Sequence, residues 1–337
     1  MHLPKKLTHQ FSSLADYTDD IRERNGGSAA ALVIIHKDRI VTEHYSGFHS
    51  HRQGARPIGT DSQFHIASAR KSYIGFAAAL ALYEESITSL DDPVSMYLPE
   101  LDSQLLSKTT IRHLLTHTHG LNEREDGTIY REFLPGTTWA YRNINVTMIA
   151  EIVKRTMGKS VGELLREHVF YPLALTETGW KTEANNKLVS VITETEDEIP
   201  LGISDEGHEK NLFVSARELA YWGYLHIKKG NIYGKQIVPS GIFDLATSIQ
   251  SPPLANKDLP QNGFFWYTKD CDTKFNEMGK HVPNGSYQIL GVTGPLLLVI
   301  PEHNLVVARM YNKRYNYGGD NYLHYLREFG NQVMRCL

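Results

Sequence analysis

Ser68 and Lys71 stand three residues apart in the segment FHIASARKSYIGFAAALAL, which covers residues 64–82. Residues three apart on a helix lie on the same face, with Cβ atoms about 5–6 Å apart, so these side chains can touch if a helix begins at Ser68. An apolar setting disfavours the lysine ammonium, and a neutral amine can take the proton of a serine hydroxyl. The N–H groups at a helix N-terminus also suit a developing oxyanion. The pair therefore indicates a serine nucleophile with a lysine base.

The same pair has a purely structural interpretation, in which Ser68 caps a helix and Lys71 lies on the surface. About one S-x-x-K is expected by chance in a chain of this size. However, Ser68 is the only serine that has a lysine three residues later, and it begins the one helical segment that is apolar on nearly all sides. Both observations favour the chemical interpretation.

Tyr141 begins the only Y-x-N sequence in the chain, within LPGTTWAYRNINVTMIAEIV, where a Pro-Gly loop leads into a predicted helix. Loop residues next to a helix are often held over a pocket. If Tyr141 and Asn143 face the Ser–Lys pair, they supply a proton shuttle and an amide that orients a substrate carbonyl. By itself, Tyr141 would be interpreted as a packing residue.

Composition and charge exclude several kinds of partner. The chain has 337 residues, 41% of them hydrophobic and 22% charged, which is enough for one large or two ordinary globular domains. A net charge of −3 gives no basic surface for nucleic acid or an acidic membrane. We therefore expect a small-molecule partner, with no nucleic-acid partner and no membrane association.

The N-terminal residues and the cysteines indicate a reducing compartment. No apolar stretch of the kind found in a secretory signal follows Lys5 and Lys6, so we expect a cytoplasmic protein, with a mature exported chain as the open alternative. Cys271 and Cys336 are the only cysteines and lack metal-pair spacing, so both are expected to be reduced and without function.

Strand patterns occupy both ends of the chain and helix patterns occupy its middle. The predicted strands form a hairpin within residues 29–48 that turns at Lys37-Asp38, and lie again at residues 263–268, 287–300 and 304–311. The predicted helices cover residues 7–23, 68–83, 110–119, 145–157, 160–172, 215–229 and 322–334. Because the distant strands must share one sheet, we predict a single domain over residues 1–337. Its α/β lobe covers about residues 1–67 and 240–337, and its helical lobe about residues 68–239.

Several linked segments resemble the serine β-lactamase-related hydrolases, which include class C β-lactamases, low-molecular-weight penicillin-binding proteins, D-aminopeptidases and esterases. Besides the two segments already quoted, they are LDDPVSMYLPEL, TIRHLLTHTHGL, HVFYPLALTETGW and LGVTGPLLLVIPEHNLVVARMYN. The resemblance extends from about Ala30 to Asn312. It implies an α+β fold, with a mixed antiparallel sheet flanked by helices and an inserted all-helical lobe, and an active site between the two lobes.

The resemblance also implies roles for individual residues. Ser68 is similar to the acylated nucleophile and Lys71 to its base partner. Tyr141 resembles the residue that protonates the leaving group and activates the deacylating water, and Asn143 a substrate-positioning amide. No metal ion or other cofactor is implied.

The family's third motif is altered in this chain. That motif has a lysine or histidine, a small residue and a glycine, followed by a backbone N–H that completes the oxyanion hole. One register is Val292–Gly294, but the following residue, Pro295, has no N–H. We prefer Ile289–Gly291, in which Gly291 is the motif glycine and Val292 is the N–H donor. The cation position is apolar in both, so we expect uncharged short-chain esters to be better substrates than β-lactams or carboxylate-ended D-peptides.

The leading interpretation is a serine hydrolase that forms an acyl-enzyme on Ser68 and acts on an ester, amide or lactam. A non-catalytic penicillin-binding or sensor protein on the same fold is the alternative, because the third-motif cation is missing. A metal hydrolase is suggested by the 16 histidines and by HTHGLN at residues 117–122, but Leu121 and Asn122 replace the acidic and histidine ligands of a dinuclear zinc site. No motif selects the substrate or sets the oligomeric state.

Overall fold

The computed structural model describes residues 1–314 and 322–337. Its strands are β1 (Ala29–His36), β2 (Arg39–Gly47), β3 (Gln63–His65), β4 (Leu121–Glu123), β5 (Ile129–Arg131), β6 (Thr178–Trp180), β7 (Val191–Ile192), β8 (Asp197–Glu198), β9 (Leu212–Ser215), β10 (Asn231–Ile232), β11 (Lys235–Gln236), β12 (Gln261–Asn262), β13 (Tyr267–Thr268), β14 (Tyr287–Leu290), β15 (Leu296–Ile300) and β16 (Leu305–Tyr311). Its α-helices are α1 (Ser12–Arg24), α2 (Lys71–Tyr83), α3 (Ile111–Leu115), α4 (Ile144–Met157), α5 (Val161–Leu165), α6 (Tyr171–Leu173), α7 (Ala216–Ile227), α8 (Ser240–Thr247) and α9 (Tyr322–Arg335). None of these helices is long and apolar enough to cross a lipid bilayer.

The main sheet joins strands from the two ends of the chain. Its antiparallel order is β12-β13-β14-β15-β16-β1-β2, and Ile34 of β1 lies opposite Val307 of β16. The hairpin between β1 and β2 turns at Lys37 and Asp38, whose φ angles of 49° and 64° suit a tight two-residue turn. The prediction of one sheet built from distant segments is therefore confirmed.

Strand β1 is buried on both faces, which explains its uninterrupted apolar sequence. Leu32 and Ile34 pack in a core cluster with residues of α1 and α9, whereas Val33 packs in the larger cluster that contains α2 and α7. Helix α7 contacts β1, β15 and β16 although it falls within the range assigned to the helical lobe. The division into two lobes remains a proposal.

Helix α2 lies in the larger core cluster, as its apolar sequence predicts. Its residues from Lys71 to Ala81 are all buried, and it contacts α4, α5 and α8. Gly75 allows a close approach to the chain at Phe264, since a Cβ atom at position 75 would lie 2.5 Å from the Phe264 carbonyl oxygen. This packing fixes the segment that carries Ser68 and Lys71.

Two predicted helices are shorter than expected. The helix predicted from residue 7 begins at Ser12, because the chain before it pairs with β2, where the Thr8 N–H donates to the Val41 carbonyl oxygen at 3.0 Å. The helix predicted over residues 110–119 ends at Leu115, since His117 takes a φ of 58° that a helix does not allow. The helix predicted to end at residue 172 continues from α5 through a π-helical segment, Arg166–Phe170, to Leu173.

The strands near the C-terminal end are also interrupted. The segment over residues 263–268 forms a strand only at β13, because Phe265 has a φ of 64°. The segment over residues 287–300 is a hairpin of β14 and β15 joined by residues 291–295. This hairpin places the third-motif residues in a turn beside the start of α2.

Candidate active site

Ser68 lies in a 3₁₀ turn, Ala67–Arg70, between β3 and α2. Strand β3 is held by β9, where His65 lies opposite Phe213, and the Ile66 N–H donates to the Leu212 carbonyl oxygen at 3.1 Å. Ala67 has a φ of 46°, which is uncommon for a residue with a side chain. The chain therefore turns sharply just before Ser68.

The Lys71 side chain connects Ser68 with Tyr141. Its Nζ atom lies 3.3 Å from Ser68 Oγ and also hydrogen-bonds the Tyr141 hydroxyl. Lys71 is only 1% exposed. Burial, followed by the charges of Arg70 and Lys210, lowers the pKa of Lys71 well below its usual value. A neutral amine at this position can accept a proton from Ser68.

Tyr141 lies in the loop before α4, and its hydroxyl also hydrogen-bonds Ser68. Burial raises the pKa of Tyr141 to about 12, although the Ser68 hydrogen bond and the charge of Arg70 act in the opposite direction. The hydroxyl therefore keeps its proton at neutral pH and can donate it. The structure brings together Ser68, Lys71 and Tyr141, the three residues predicted as catalytic, although their roles remain proposals.

His117 packs against the ring of Tyr141, a contact that the sequence did not predict. The two rings stack with centroids 4.8 Å apart, and the Ala140 N–H donates to the His117 carbonyl oxygen at 3.0 Å. Asn145 Nδ2 lies 3.2 Å from His117 Nδ1. Burial lowers the pKa of His117 well below its usual value, so the ring is neutral. The sequence feature that could have indicated this contact is the TIRHLLTHTHGL segment, whose histidines were considered only as zinc ligands and not as neighbours of Tyr141.

The other two histidines of that segment serve the local backbone. His113 Nδ1 accepts from the Thr110 N–H in a capping box at the start of α3, and His119 Nδ1 accepts from the Leu121 N–H. Over residues 1–314 and 322–337, no three histidine, cysteine or acidic side chains form a group able to hold a metal ion. The zinc interpretation gains no support from this geometry.

Asn143 is the residue before α4, and its side chain does not cap the helix. It is exposed and lines a cavity together with Arg70 and Lys210. It makes no side-chain hydrogen bond to Ser68 or Lys71. Its position is compatible with contact to a substrate, and its role as a positioning amide remains a prediction.

Gly291 and Val292 border the segment before Ser68. A Cβ atom at position 291 would lie 2.3 Å from the Ile66 carbonyl oxygen, so only glycine fits there. The Gly291 N–H donates to Pro295 and the Gly294 N–H donates to Gly291, whereas the Val292 N–H has no partner in the described parts of the chain. The close approach of Gly291 to Ile66 supports Ile289–Gly291 as the third motif, with the Val292 N–H as the oxyanion donor.

In the Ile289–Gly291 register, Ile289 occupies the position where the family motif has a lysine or histidine. Ile289 is 2% exposed and belongs to the larger core cluster, opposite Leu297 on β15. Its side chain offers no charge or hydrogen bond to a substrate. If Ile289–Gly291 is the third motif, an apolar side chain occupies the position where the family motif has a lysine or histidine.

Known proteins resemble this chain in sequence and in fold. Residues 14–332 match the family profile described as Beta-lactamase. The chain belongs to the β-lactamase family. An uncharacterized protein of Alkalihalophilus pseudofirmus is 48% identical over 338 residues, which cover 100% of this chain and 99% of that protein. Esterase EstB of Burkholderia gladioli is 28% identical over 200 residues, which cover 49% of this chain and 50% of the esterase.

Solved structures share the fold of this β-lactamase family protein. A class C β-lactamase in complex with cefoxitin has a TM-score of 0.78 and 15% identity, covering 97% of this chain and 99% of that one. EstCE1, described as a hydrolase with promiscuous acyltransferase activity, has a TM-score of 0.75 and 18% identity, covering 96% of this chain and 100% of its own. The predicted family and α+β fold are therefore confirmed. The chain is a member of the β-lactamase and penicillin-binding-protein-like superfamily of serine hydrolases.

Proposed function

We propose that this protein hydrolyses an ester or amide through an acyl-enzyme formed on Ser68. The observation that carries the proposal is the buried Lys71 amine, which lies within hydrogen-bond reach of both Ser68 and Tyr141. Esterase EstB, a relative, and EstCE1, a structural neighbour, are described as an esterase and a hydrolase, which supports an acyl-transfer reaction.

In acylation, Ser68 Oγ attacks the substrate carbonyl carbon while the neutral Lys71 amine takes the hydroxyl proton. The carbonyl π electrons move onto oxygen, where the Ser68 and Val292 N–H groups stabilise the charge. When the carbonyl re-forms, the bond to the leaving group breaks. Tyr141 donates its proton to that group and recovers a proton from the Lys71 ammonium.

Deacylation uses the same groups in reverse. A water molecule attacks the acyl carbon, and the Tyr141 and Lys71 pair accepts one of its protons. The bond between the acyl carbon and Ser68 Oγ then breaks, and Ser68 regains its proton. The products are a carboxylic acid and the free enzyme.

A non-catalytic penicillin-binding or sensor role on the same fold is the second candidate. It is favoured by the apolar Ile289 at the position of the third-motif cation. Turnover distinguishes the two, because a sensor would be acylated once and would not release product. Repeated release of p-nitrophenol from p-nitrophenyl acetate, dependent on Ser68, supports the hydrolase.

The pH dependence of kcat/KM reports the protonation of Lys71. Because burial lowers the pKa of Lys71 and raises that of Tyr141 to about 12, kcat/KM should rise with pH as Lys71 loses its proton, with a midpoint well below the ordinary lysine value. Above that midpoint it should stay level until Tyr141 loses its proton. The profile is measured with a neutral ester after subtraction of spontaneous hydrolysis. A rise centred at 10.5, the ordinary lysine value, would contradict a neutral amine.

Val292→Pro tests the oxyanion donor, because it removes one backbone N–H from an exposed turn residue. We expect kcat/KM to fall about 10²–10³-fold, the scale for losing one oxyanion donor. Val292→Ala keeps the N–H and serves as the matched control, with near-normal kcat/KM expected. Circular dichroism verifies folding of both variants. Equal activity of the two would favour the other third-motif register.

A further inference from the structure

Arg70 is a buried cation that has no acidic partner among the described residues. It is 3% exposed, and its Nε donates to the Glu209 carbonyl oxygen at 2.9 Å. Its two terminal nitrogens make no hydrogen bond or ion pair within residues 1–314 and 322–337. A buried charge without a partner is costly, so such a group indicates a ligand that is absent from the free protein.

Arg70 lines a cavity of about 450 Å³. Its walls include Arg70, Asn143, Thr147, Leu201, Lys210 and Glu123. Arg70 is adjacent to Lys71 in the chain, and Asn143 is two residues from Tyr141. The cavity therefore lies beside the proposed reaction site and is large enough for part of a small substrate.

The charges around this cavity favour an anion. Lys210 is exposed and forms no ion pair in the described chain, and its charge acts on Lys71 together with that of Arg70. The Glu209 carboxylate is engaged by the N–H groups of Ile203 and Ser204. Glu123 is exposed and forms no ion pair with either cation. Burial lowers the pKa of Arg70 to about 10, and among the described residues the opposing effect comes from Tyr141 and not from a carboxylate.

We propose that Arg70 and Lys210 form a subsite for a carboxylate carried by the ester or amide substrate, with Asn143 beside it. This inference rests on the proposed function and identifies its substrate class. The planar guanidinium suits two carboxylate oxygens at once, and Lys210, which lines the same cavity, adds a second charge. The expectation of uncharged substrates rested on the absence of a cation at Ile289 in β14. Arg70 supplies a cation from a different place, the turn before α2.

Two pairs of chromogenic or ultraviolet-active esters test the subsite on the full-length protein. In the first pair the acyl group differs, as mono-p-nitrophenyl adipate and its methyl ester. In the second the leaving group differs, as 3-acetoxybenzoate and its methyl ester. We expect the anionic member of at least one pair to have a kcat/KM about tenfold or more above its neutral partner, since charge-assisted pairing contributes on this scale. The two pairs identify the end of the substrate that carries the carboxylate.

Arg70→Gln should remove most of that preference, and Lys210→Gln should reduce it about threefold or more because the exposed charge is partly screened. Lys235→Gln, which removes an exposed cation from β11, should preserve it. Inhibition by the adipate dianion is a second measurement, with dimethyl adipate as its neutral control. If Arg70→Gln does not fold, weaker inhibition of Lys210→Gln than of the parent protein supports the subsite.

The outcomes separate this inference from the proposed function. If the neutral esters are hydrolysed in a Ser68-dependent manner without an anionic preference in either pair, the subsite is wrong and the hydrolase stands. A preference that survives both substitutions also contradicts the subsite. If no ester is turned over, adipate inhibition cannot be measured, and calorimetry of adipate binding replaces it. Saturable binding to the parent protein that is lost in Lys210→Gln then supports the subsite without supporting the hydrolase. Absence of adipate binding to the parent protein contradicts it.

Discussion

Ser68→Ala should abolish covalent labelling by a fluorophosphonate and lower kcat for p-nitrophenyl acetate by about 10⁴–10⁶-fold, as removal of a catalytic serine does elsewhere. The reason is that Ser68 Oγ is the atom proposed to form the acyl bond, and among the described residues only the hydroxyls of Ser68 and Tyr141 are hydrogen-bonded to Lys71 Nζ. Intact mass spectrometry should show one adduct on the parent protein, and peptide mapping should place it on Ser68.

Ser72→Ala is the matched control for this experiment. Ser72 lies one turn further along α2, where its hydroxyl donates to the Ala69 carbonyl oxygen and accepts from Trp222 Nε1. Its loss should reduce stability by about 1–3 kcal/mol, because the buried Trp222 N–H loses its acceptor, and should leave labelling intact. A label on any other serine, or full labelling of Ser68→Ala, would refute Ser68 as the nucleophile.

Lys71→Met should lower kcat by about 10²–10⁴-fold, the usual scale for loss of general acid–base help, with a smaller effect on KM. Methionine fills a similar volume in the core without a buried amine, so the melting temperature should not fall. This combination distinguishes a proton carrier from a structural lysine, whose replacement would affect stability more than chemistry.

Tyr141→Phe makes the same test on the second proton carrier. Phenylalanine keeps the ring that stacks on His117 and removes only the hydroxyl that hydrogen-bonds Lys71 and Ser68. We expect a loss of kcat in the same range as for Lys71→Met, about 10²–10⁴-fold. Near-normal kcat in both variants would return Lys71 and Tyr141 to structural roles. The double variant should lose little more than either single variant, because the two residues pass one proton.

The parts of the site that the sequence predicted are those set by neighbouring residues. Ser68 and Lys71 meet because the helical turn repeats within four residues, and the apolar sequence that follows buries the lysine. The capping box of Ser160 and Glu163 and the left-handed Gly158 at the end of α4 also depend on local backbone geometry. Such features are encoded within a few positions.

Motif resemblance extended the prediction to Tyr141, which is 70 positions from Lys71. Physical reasoning from the sequence could not bring the two together, because their contact depends on how α4 packs against α2. The stacking of His117 on Tyr141 was missed for the same reason. A predicted helix over residues 110–119 would have placed His117 differently, and only the positive φ turned it toward the tyrosine.

The sequence by itself determined the family, the strand-rich ends and the Ser–Lys pair, because local propensity and linked motifs are written in consecutive residues. Tertiary structure alone decided that Gly291 meets Ile66 and that Arg70 meets the Glu209 backbone, with no acidic partner among the residues that the structure describes. These contacts join segments more than a hundred positions apart. Whether a buried cation is neutralised depends on every side chain packed around it, and that set of neighbours exists only once the chain has folded.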